Sequence, residues 1–394
     1  MPKDSTLIVL QGTPFCNIDC SYCYLPHRLN TERMSDAVLL ATYERVFSSN
    51  LLPQNLKFLW HAGEPLALPI SFYEQAVDWS EAYTERCEKR CSHSIQSNGL
   101  LLDHNWISFI HSRHIRLGLS LDGPSFLHDD VRKDRSGRGT HERVMKSVRL
   151  LQETGTHFGV LCVLRARSLQ FADEIFSFFA DNRIYDVGFN IDEVEGANQV
   201  SSFGLTRDDM QYESFRRFML RLLALNERSG SPLRIREFHF YGPFLRKSSI
   251  GEKPADERSR PLAIISVDFQ GNFATYCPEL LGARSTRFGT FSMGNVLRNE
   301  IAEIFEHPTF RIVTEEIQTG IARCRSECSY FELCGGGAPA NKFFETGRFD
   351  ASETMYCRIH KKALTDAIIE YLESPTYHLS PGEVNPIAAR QPTC

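Results

Sequence analysis

Cys16, Cys20 and Cys23 stand in a C-x3-C-x2-C triplet, with Tyr22 directly before the last thiol and an apolar, strand-like run, Leu7 to Leu10, just upstream. A four-iron, four-sulfur cluster is normally held by four Cys thiolates, one on each iron. A three-thiolate set this compact leaves one iron open to coordinate something other than the protein. A zinc knuckle is the alternative, although zinc sites favour paired C-x2-C spacings with a complete local ligand set.

A second group, Cys324, Cys328, Cys334 and Cys357, has C-x3-C-x5-C spacing and one distant partner. Four thiolates close a cluster with no open iron, and tetrahedral zinc accepts the same set. Cys87, Cys91, Cys162 and Cys394 need no role beyond that of small thiols. The 12 cysteines lie in a 394-residue chain with 42% apolar residues, and their clustering points to metal ligands in a reducing compartment, not to disulfides. The net charge of −5 argues against a dedicated nucleic-acid binder. No apolar stretch reaches the length of a membrane span, and Lys3 and Asp4 precede a short strand-like run in place of a signal peptide. The expected compartment is therefore the cytoplasm.

These residues must be positioned by the elements around them. Short β-like runs alternate with amphipathic helical stretches through the first half of the chain, the pattern of a parallel α/β architecture. Strands are expected at Thr6 to Gln11, Leu56 to Trp60, His93 to Gln96, Arg116 to Leu121, Phe158 to Leu164 and Asp186 to Ile191. Helices are expected at Ser35 to Phe47, with Ser35 as N-cap, and at Ser71 to Ala82, Asp103 to Ser112, Thr140 to Gln152 and Leu169 to Asp181. Six such units fit a partial (β/α)6 TIM-type barrel, whose chemistry sits at the C-terminal ends of the strands. A long helix follows at Arg207 to Glu227, then a Gly-, Ser- and charge-rich loop at Lys247 to Arg260, a hairpin around Gln270-Gly271, and a final helix near Lys361 to Leu372. The expected division is a barrel at 1–230, a linker and hairpin at 231–300, a cysteine-rich region at 301–375 and a polar tail at 376–394.

The stretch QGTPFCNIDCSYCY resembles the signature of the radical S-adenosylmethionine (SAM) superfamily. That resemblance implies that the methionyl end of SAM takes the open iron at Cys16, Cys20 and Cys23. His61-Ala62-Gly63-Glu64-Pro65, after the second strand, corresponds to the superfamily's Gly-Gly-Glu motif with alanine in the first glycine position. Gly63 then permits close backbone approach and Glu64 accepts from the SAM ammonium. Ser97, in Ser97-Asn98-Gly99, and Ser120, in Ser120-Leu121-Asp122-Gly123-Pro124, also match SAM positions, Ser120 as the ribose contact. Arg132 is the candidate for the SAM carboxylate through its bidentate fork, with an exposed basic loop as the alternative. Adenine is expected near Asn190 and Ile191.

The second cysteine group resembles the SPASM extension of peptide-modifying radical SAM enzymes, so the smaller domain is expected to be SPASM-like. Cys277 aligns with an inner-cluster ligand of that extension, but no cysteine lies between Lys247 and Tyr276 to partner it, and Ala338 occupies a further ligand position. One auxiliary cluster, at Cys324, Cys328, Cys334 and Cys357, is therefore expected, with Cys277 outside it.

QGTPFCNIDCSYCYLPHR and FLWHAGEPLALPISFYE look most like the cyclophane-forming maturases of the GRRM/OscB type. That likeness implies a ribosomally made precursor peptide as substrate and an external electron donor such as flavodoxin or ferredoxin. It also implies removal of a Cβ hydrogen, addition of the carbon radical to an aromatic ring, and loss of an electron and a proton. Glu279 is the candidate base, with Asp192 or Glu193 as alternatives, and His61 a substrate contact. Anaerobic sulfatase maturases carry glutamine where His61 stands and Asp where Pro278 stands, and have both auxiliary clusters. Formylglycine formation, a thioether-forming or other peptide maturation, and a non-catalytic zinc-stabilised scaffold are the alternative readings. The first strand begins almost at Met1, leaving no room for a leader-binding domain before it, so an edge strand in the hairpin at Ile264 to Tyr276 could instead pair with the leader by β-addition.

Overall fold

Six strands, β1 (Ser5–Leu10), β2 (Asn55–Trp60), β3 (Arg90–Ser97), β4 (Arg116–Ser120), β5 (Phe158–Leu164) and β6 (Asp186–Ile191), pair in parallel and in chain order. The computed structural model describes residues 5–205, 208–239 and 256–373. Between and after the strands run α1 (Asp36–Ser48), α2 (Ile70–Cys87), α3 (His104–Ser112), α4 (Ser125–Val131), α5 (His141–Glu153), α6 (Ala172–Asp181) and α7 (Asp208–Arg228). This is the expected partial (β/α)6 arrangement. Ser35 caps α1 by accepting from the Val38 amide at 3.3 Å, and Asp103 caps α3 by accepting from Trp106 at 2.9 Å. Each such cap contributes about 1 kcal/mol. Among the described residues, no helix is long and apolar enough to cross a membrane.

Alternating burial gives the sheet two different faces. In β2, Leu56, Phe58 and Trp60 are buried while Asn55, Lys57 and Leu59 are only half-buried. In β3, His93, Ile95 and Ser97 are buried against half-buried Ser92, Ser94 and Gln96. The polar sequence of β3 hid its true start at Arg90, because pairing with β2 from Asn55 onward, not intrinsic propensity, extends it.

The sheet continues past the six strands on both sides. β7 (Arg234–Ile235) adds to β6, and β8 (Ile264–Val267), β9 (Asn272–Thr275) and β12 (Gly294–Asn295) extend from β1, while β10 (Arg284–Ser285) and β11 (Gly289–Thr290) form a separate hairpin. The hairpin expected around Gln270-Gly271 is present. It is not an edge at Ile264 to Val267, however: β8 is hydrogen-bonded to β1 on one side and β9 on the other, so it cannot accept a leader strand. The last helix, Leu364–Glu373, follows a π-helical turn at Cys357–Ala363 and packs on α7. Asp366 accepts there from the hydroxyls of Tyr212 and, at 2.7 Å, Tyr330. Of the expected 247–260 loop, only 256–260 are among the described residues, with a 3-10 turn at Glu257–Ser259; the 376–394 tail lies outside them.

The turn after β2 has a conformation that its sequence does not favour. Ala62 has φ +77° and Gly63 φ +62°. A Cβ on Gly63 would lie 2.4 Å from the Thr13 carbonyl and 2.6 Å from that of Phe15, so the close approach served by this glycine is to the cysteine loop's own backbone. Ala62→Gly, by removing the left-handed penalty at a Cβ-bearing residue, is expected to raise the unfolding free energy by about 0.5–1 kcal/mol in urea titrations. An unchanged or lower value would contradict this reading.

His93 shows what the core demands of a polar residue. Its ring stacks on Phe58 and Trp60, accepts from Trp60 Nε1 at 3.3 Å, and lies 2.9 Å from the Ser80 hydroxyl. Burial lowers its pKa from 6.5 to about 4. The unfolded chain therefore takes up this proton first, and stability is lost as pH falls from 6.5 toward the folded value. Between pH 7 and pH 5, His93→Gln is expected to lose about 2 kcal/mol less stability than wild type in thermal or urea unfolding; equal losses would contradict it.

Candidate active site

The parallel register brings the ends of β1 to β6 to one rim, and the residues singled out in the sequence collect there around a cavity of about 350 Å³. Cys16, Cys20, Cys23, His61, Ala62, Gly63, Glu64, Ser97, Ser120, Arg132 and Asn190 all line it. So do Glu193 and Glu279, the latter reaching in from the turn after β9. Asp192 lines it too, but its carboxylate is engaged by Asn198 Nδ2 at 3.0 Å and the Ser202 amide at 2.9 Å.

Two arginine side chains hold the carbonyls of the cysteine loop. Arg135 donates from Nε and Nη2 to the Cys16 carbonyl at 3.2 and 2.9 Å, and Arg28 donates to that of Cys20 at 3.2 Å. The sulfurs also have donors: Asn98 Nδ2 lies 3.8 Å from Cys16 Sγ and Arg132 Nη1 3.7 Å from Cys20 Sγ. Burial pushes the Cys16 thiol up to about 12 and Cys20 up to about 11, so a metal bound here would displace their protons. Donor chemistry and N–H···S contacts fit a cluster at this loop. Among the described residues, no three Cys, His, Asp or Glu side chains converge closely enough to share a single metal ion.

Glu64 is almost fully buried and accepts from the Leu66 amide at 2.8 Å, the Ser97 hydroxyl at 2.7 Å and the Asn98 amide at 2.8 Å. Burial raises its pKa against the lowering effect of those three donors. Ser97 is therefore committed to Glu64. Ser120 accepts from Gln96 Nε2 at 3.0 Å, and the Asn190 amide oxygen accepts from Arg236 at 2.7 Å.

Arg132 requires a correction. The fork expected for the SAM carboxylate is taken by Asp122, with Nε 2.8 Å from Oδ2 and Nη2 3.2 Å from Oδ1. Nor is it an exposed loop residue, since the pair is buried.

The second cysteine group also comes together. Cys324, Cys328, Cys334 and Cys357 line one cavity with Lys342, Lys361 and Lys362. Lys342 Nζ is 3.6 Å from Cys324 Sγ, and Gly335, Gly336 and Gly337 take positive φ in wrapping past Cys334. These donors fit a closed cluster in the same way. Cys277 is absent from this cavity; it is buried on the rim cavity, where burial raises its pKa. Ala338, Asn341 and Tyr356 line both cavities and form the wall between them.

Sequence reasoning missed several residues of the rim. Glu195 and Arg258 line it, and Asn341 Nδ2 donates to Glu193 as well as lying 3.5 Å from Glu195. Burial raises the pKa of Glu193, Glu195 and Glu279, and their mutual repulsion adds to it at Glu195. Tyr24 reaches His61 Nε2 at 3.4 Å, while burial keeps His61 neutral with a pKa lowered to about 4. The loop carrying Glu195 is tied to the cysteine loop by the Ala197 amide, 2.8 Å from the Tyr24 carbonyl. Only the Glu193-x-Glu195 spacing marked any of this in the sequence. Chemically, the rim offers a place for a reactive cofactor beside buried carboxyls that can accept a proton.

Residues 10–173 match the model of the radical SAM superfamily. An uncharacterized protein of Synechocystis sp. is 38% identical over 372 residues, 94% of this chain and 92% of that one. A cysteine-type anaerobic sulfatase-maturating enzyme of Clostridium novyi is 22% identical over 348 residues, 86% of this chain and 89% of that one. Among solved structures, native anSMEcpe with bound AdoMet and Cp18Cys peptide superposes with TM-score 0.74 at 20% identity, covering 93% of this chain and 98% of that one. The thiol loop at the head of the barrel and these matches lead to one conclusion: the chain belongs to the radical SAM superfamily of enzymes, whose members use SAM and a four-iron, four-sulfur cluster.

Proposed function

We propose that this enzyme matures a ribosomally synthesised precursor peptide, joining a side-chain Cβ to an aromatic ring to close a cyclophane. The reading is carried by the single cavity in which the three-thiol loop, the turn of Glu64 and a wall of buried carboxyls face one another. A bound peptide in a structure of similar fold supports a peptide substrate. SAM and an open-site cluster, when bound and reduced by a flavodoxin or ferredoxin, would supply the carbon-centred oxidant for taking a hydrogen atom from the peptide Cβ.

Cys16, Cys20 and Cys23 hold the cluster, and Ala62, Gly63, Glu64, Ser97, Ser120 and Asn190 shape the SAM pocket. Tyr24 and His61 orient the peptide. After the peptide radical adds to the ring, one electron and one proton must leave to restore aromaticity. Glu279 takes the proton: burial holds its pKa above 4.5, and Glu193 and Glu195 beside it can pass the proton onward. Cys324, Cys328, Cys334 and Cys357, behind the wall of Ala338, Asn341 and Tyr356, would hold an auxiliary cluster, and such a cluster would supply an acceptor for that electron.

Full-length similarity to a sulfatase-maturating enzyme favours formylglycine formation as the second reading. His61, Pro278 and the unpaired alignment of Cys277 weigh against it. Mass spectrometry of peptides incubated anaerobically with enzyme, SAM and reductant separates the two. Cyclophane formation removes two hydrogen atoms from a peptide with closely spaced aromatic residues and forms no aldehyde. A hydrazine-reactive aldehyde on a sulfatase-type peptide, with aromatic peptides untouched, would contradict the proposal.

Glu279→Gln is expected to slow cross-linking by about 100-fold or more, while 5′-deoxyadenosine formation continues. Cross-linking at the wild-type rate would remove Glu279 as the base. In the wild type, the cross-linking rate should rise with pH as a carboxyl displaced upward from 4.5 loses its proton, and that rise should vanish in the variant.

A further inference from the structure

We propose that Arg132 is a positioning residue of the open-site cluster: anchored by Asp122 and Tyr22, it donates to the Cys20 sulfur and sets how readily the cluster is reduced. The inference rests on a cluster at Cys16, Cys20 and Cys23 and is independent of what is done to a peptide.

Three of the guanidinium's N–H directions are accounted for. Nε and Nη2 grip Asp122 at 2.8 and 3.2 Å, and Nη1 points to Cys20 Sγ at 3.7 Å. The guanidinium lies over the Tyr22 ring, 5.3 Å from its centroid, and the Tyr22 hydroxyl donates to Asp122 at 2.5 Å. Asp122 also accepts from the Val163 amide at 2.9 Å, which fixes the carboxylate to β5. Both charged side chains are more than nine-tenths buried. Swinging Arg132 away to meet a ligand carboxylate would strand Asp122 as a buried, unpaired charge, an unfavourable move. The aromatic residue before the third cysteine thus has a physical task here, as a roof and an anchor for a cation at the second cysteine.

Hydrogen bonds to cluster sulfurs and nearby charge set reduction potentials, and residues behind a metal ligand orient and tune it. A buried cation donating to Cys20 Sγ favours the form that carries one more electron. Asp122, a buried anion one step further away, opposes it. Neutralising the two partners should therefore move the potential in opposite directions, which a merely structural brace would not do.

The test is an EPR-monitored redox titration of anaerobically reconstituted enzyme, with iron content and SAM affinity measured on the same samples. Arg132→Gln is expected to lower the reduction equilibrium by about tenfold, 59 mV for a one-electron couple, and Asp122→Asn to raise the potential, with SAM affinity changing by less than about threefold. Unchanged potentials in both variants at full iron content would overturn the proposal. Weakened SAM binding at unchanged potential in Arg132→Gln would also overturn it and return the residue to the SAM carboxylate. If Arg132→Gln does not retain iron, Asp122→Asn decides alone: a higher potential supports the proposal, and an unchanged or lower one refutes it.

Discussion

One buried carboxylate holds the rim of the barrel together. Glu64 sits at the end of β2; its amide donates to the Phe15 carbonyl of the cysteine loop at 2.7 Å, and its side chain accepts from Ser97 and Asn98 at the end of β3. Three strand ends are thereby fixed to one another around a charged group that could not stay buried without those donors. Gly63 completes the arrangement, because only a residue without a Cβ lets the turn press against Thr13 and Phe15. The placement of the thiols, the shape of the rim cavity and the position of His61 all follow from this junction.

The other half of the cavity comes from far along the chain. Glu279 follows a strand that joins the barrel's sheet through β8, and Asn341 and Tyr356 arrive from the cysteine-rich region docked on α7. Barrel and C-terminal region therefore share one cavity wall, so a peptide in the rim would touch both. The two thiol groups line neighbouring cavities that share Ala338, Asn341 and Tyr356, and the buried carboxyls of Glu193, Glu195 and Glu279 stand on the rim side of that wall.

Much of this was legible from residue types and spacing. The six strands, the Ser35 and Asp103 helix starts, the hairpin at Gln270-Gly271 and the gathering of both cysteine groups depend on local pattern, and local pattern is what a sequence displays. What depended on tertiary partners was hidden. Arg132 reads as a free bidentate fork until Asp122 is seen to fill it; β8 reads as a hairpin edge until β1 is found beside it; Asn341 and Arg258 carry no motif at all. Glu195 lay two residues from a named candidate, yet nothing in the sequence said that its loop turns back onto Tyr24.

Iron and acid-labile sulfide content, with Mössbauer spectra, on anaerobically reconstituted wild type and on the Cys16/Cys20/Cys23→Ala triple variant, tests the central claim most directly. An open-site cluster and one auxiliary cluster give about eight irons, falling to about four in the variant. About four irons with one zinc would make the second thiol group structural, about twelve would mean a second auxiliary cluster, and a protein that binds no iron would contradict the radical chemistry altogether.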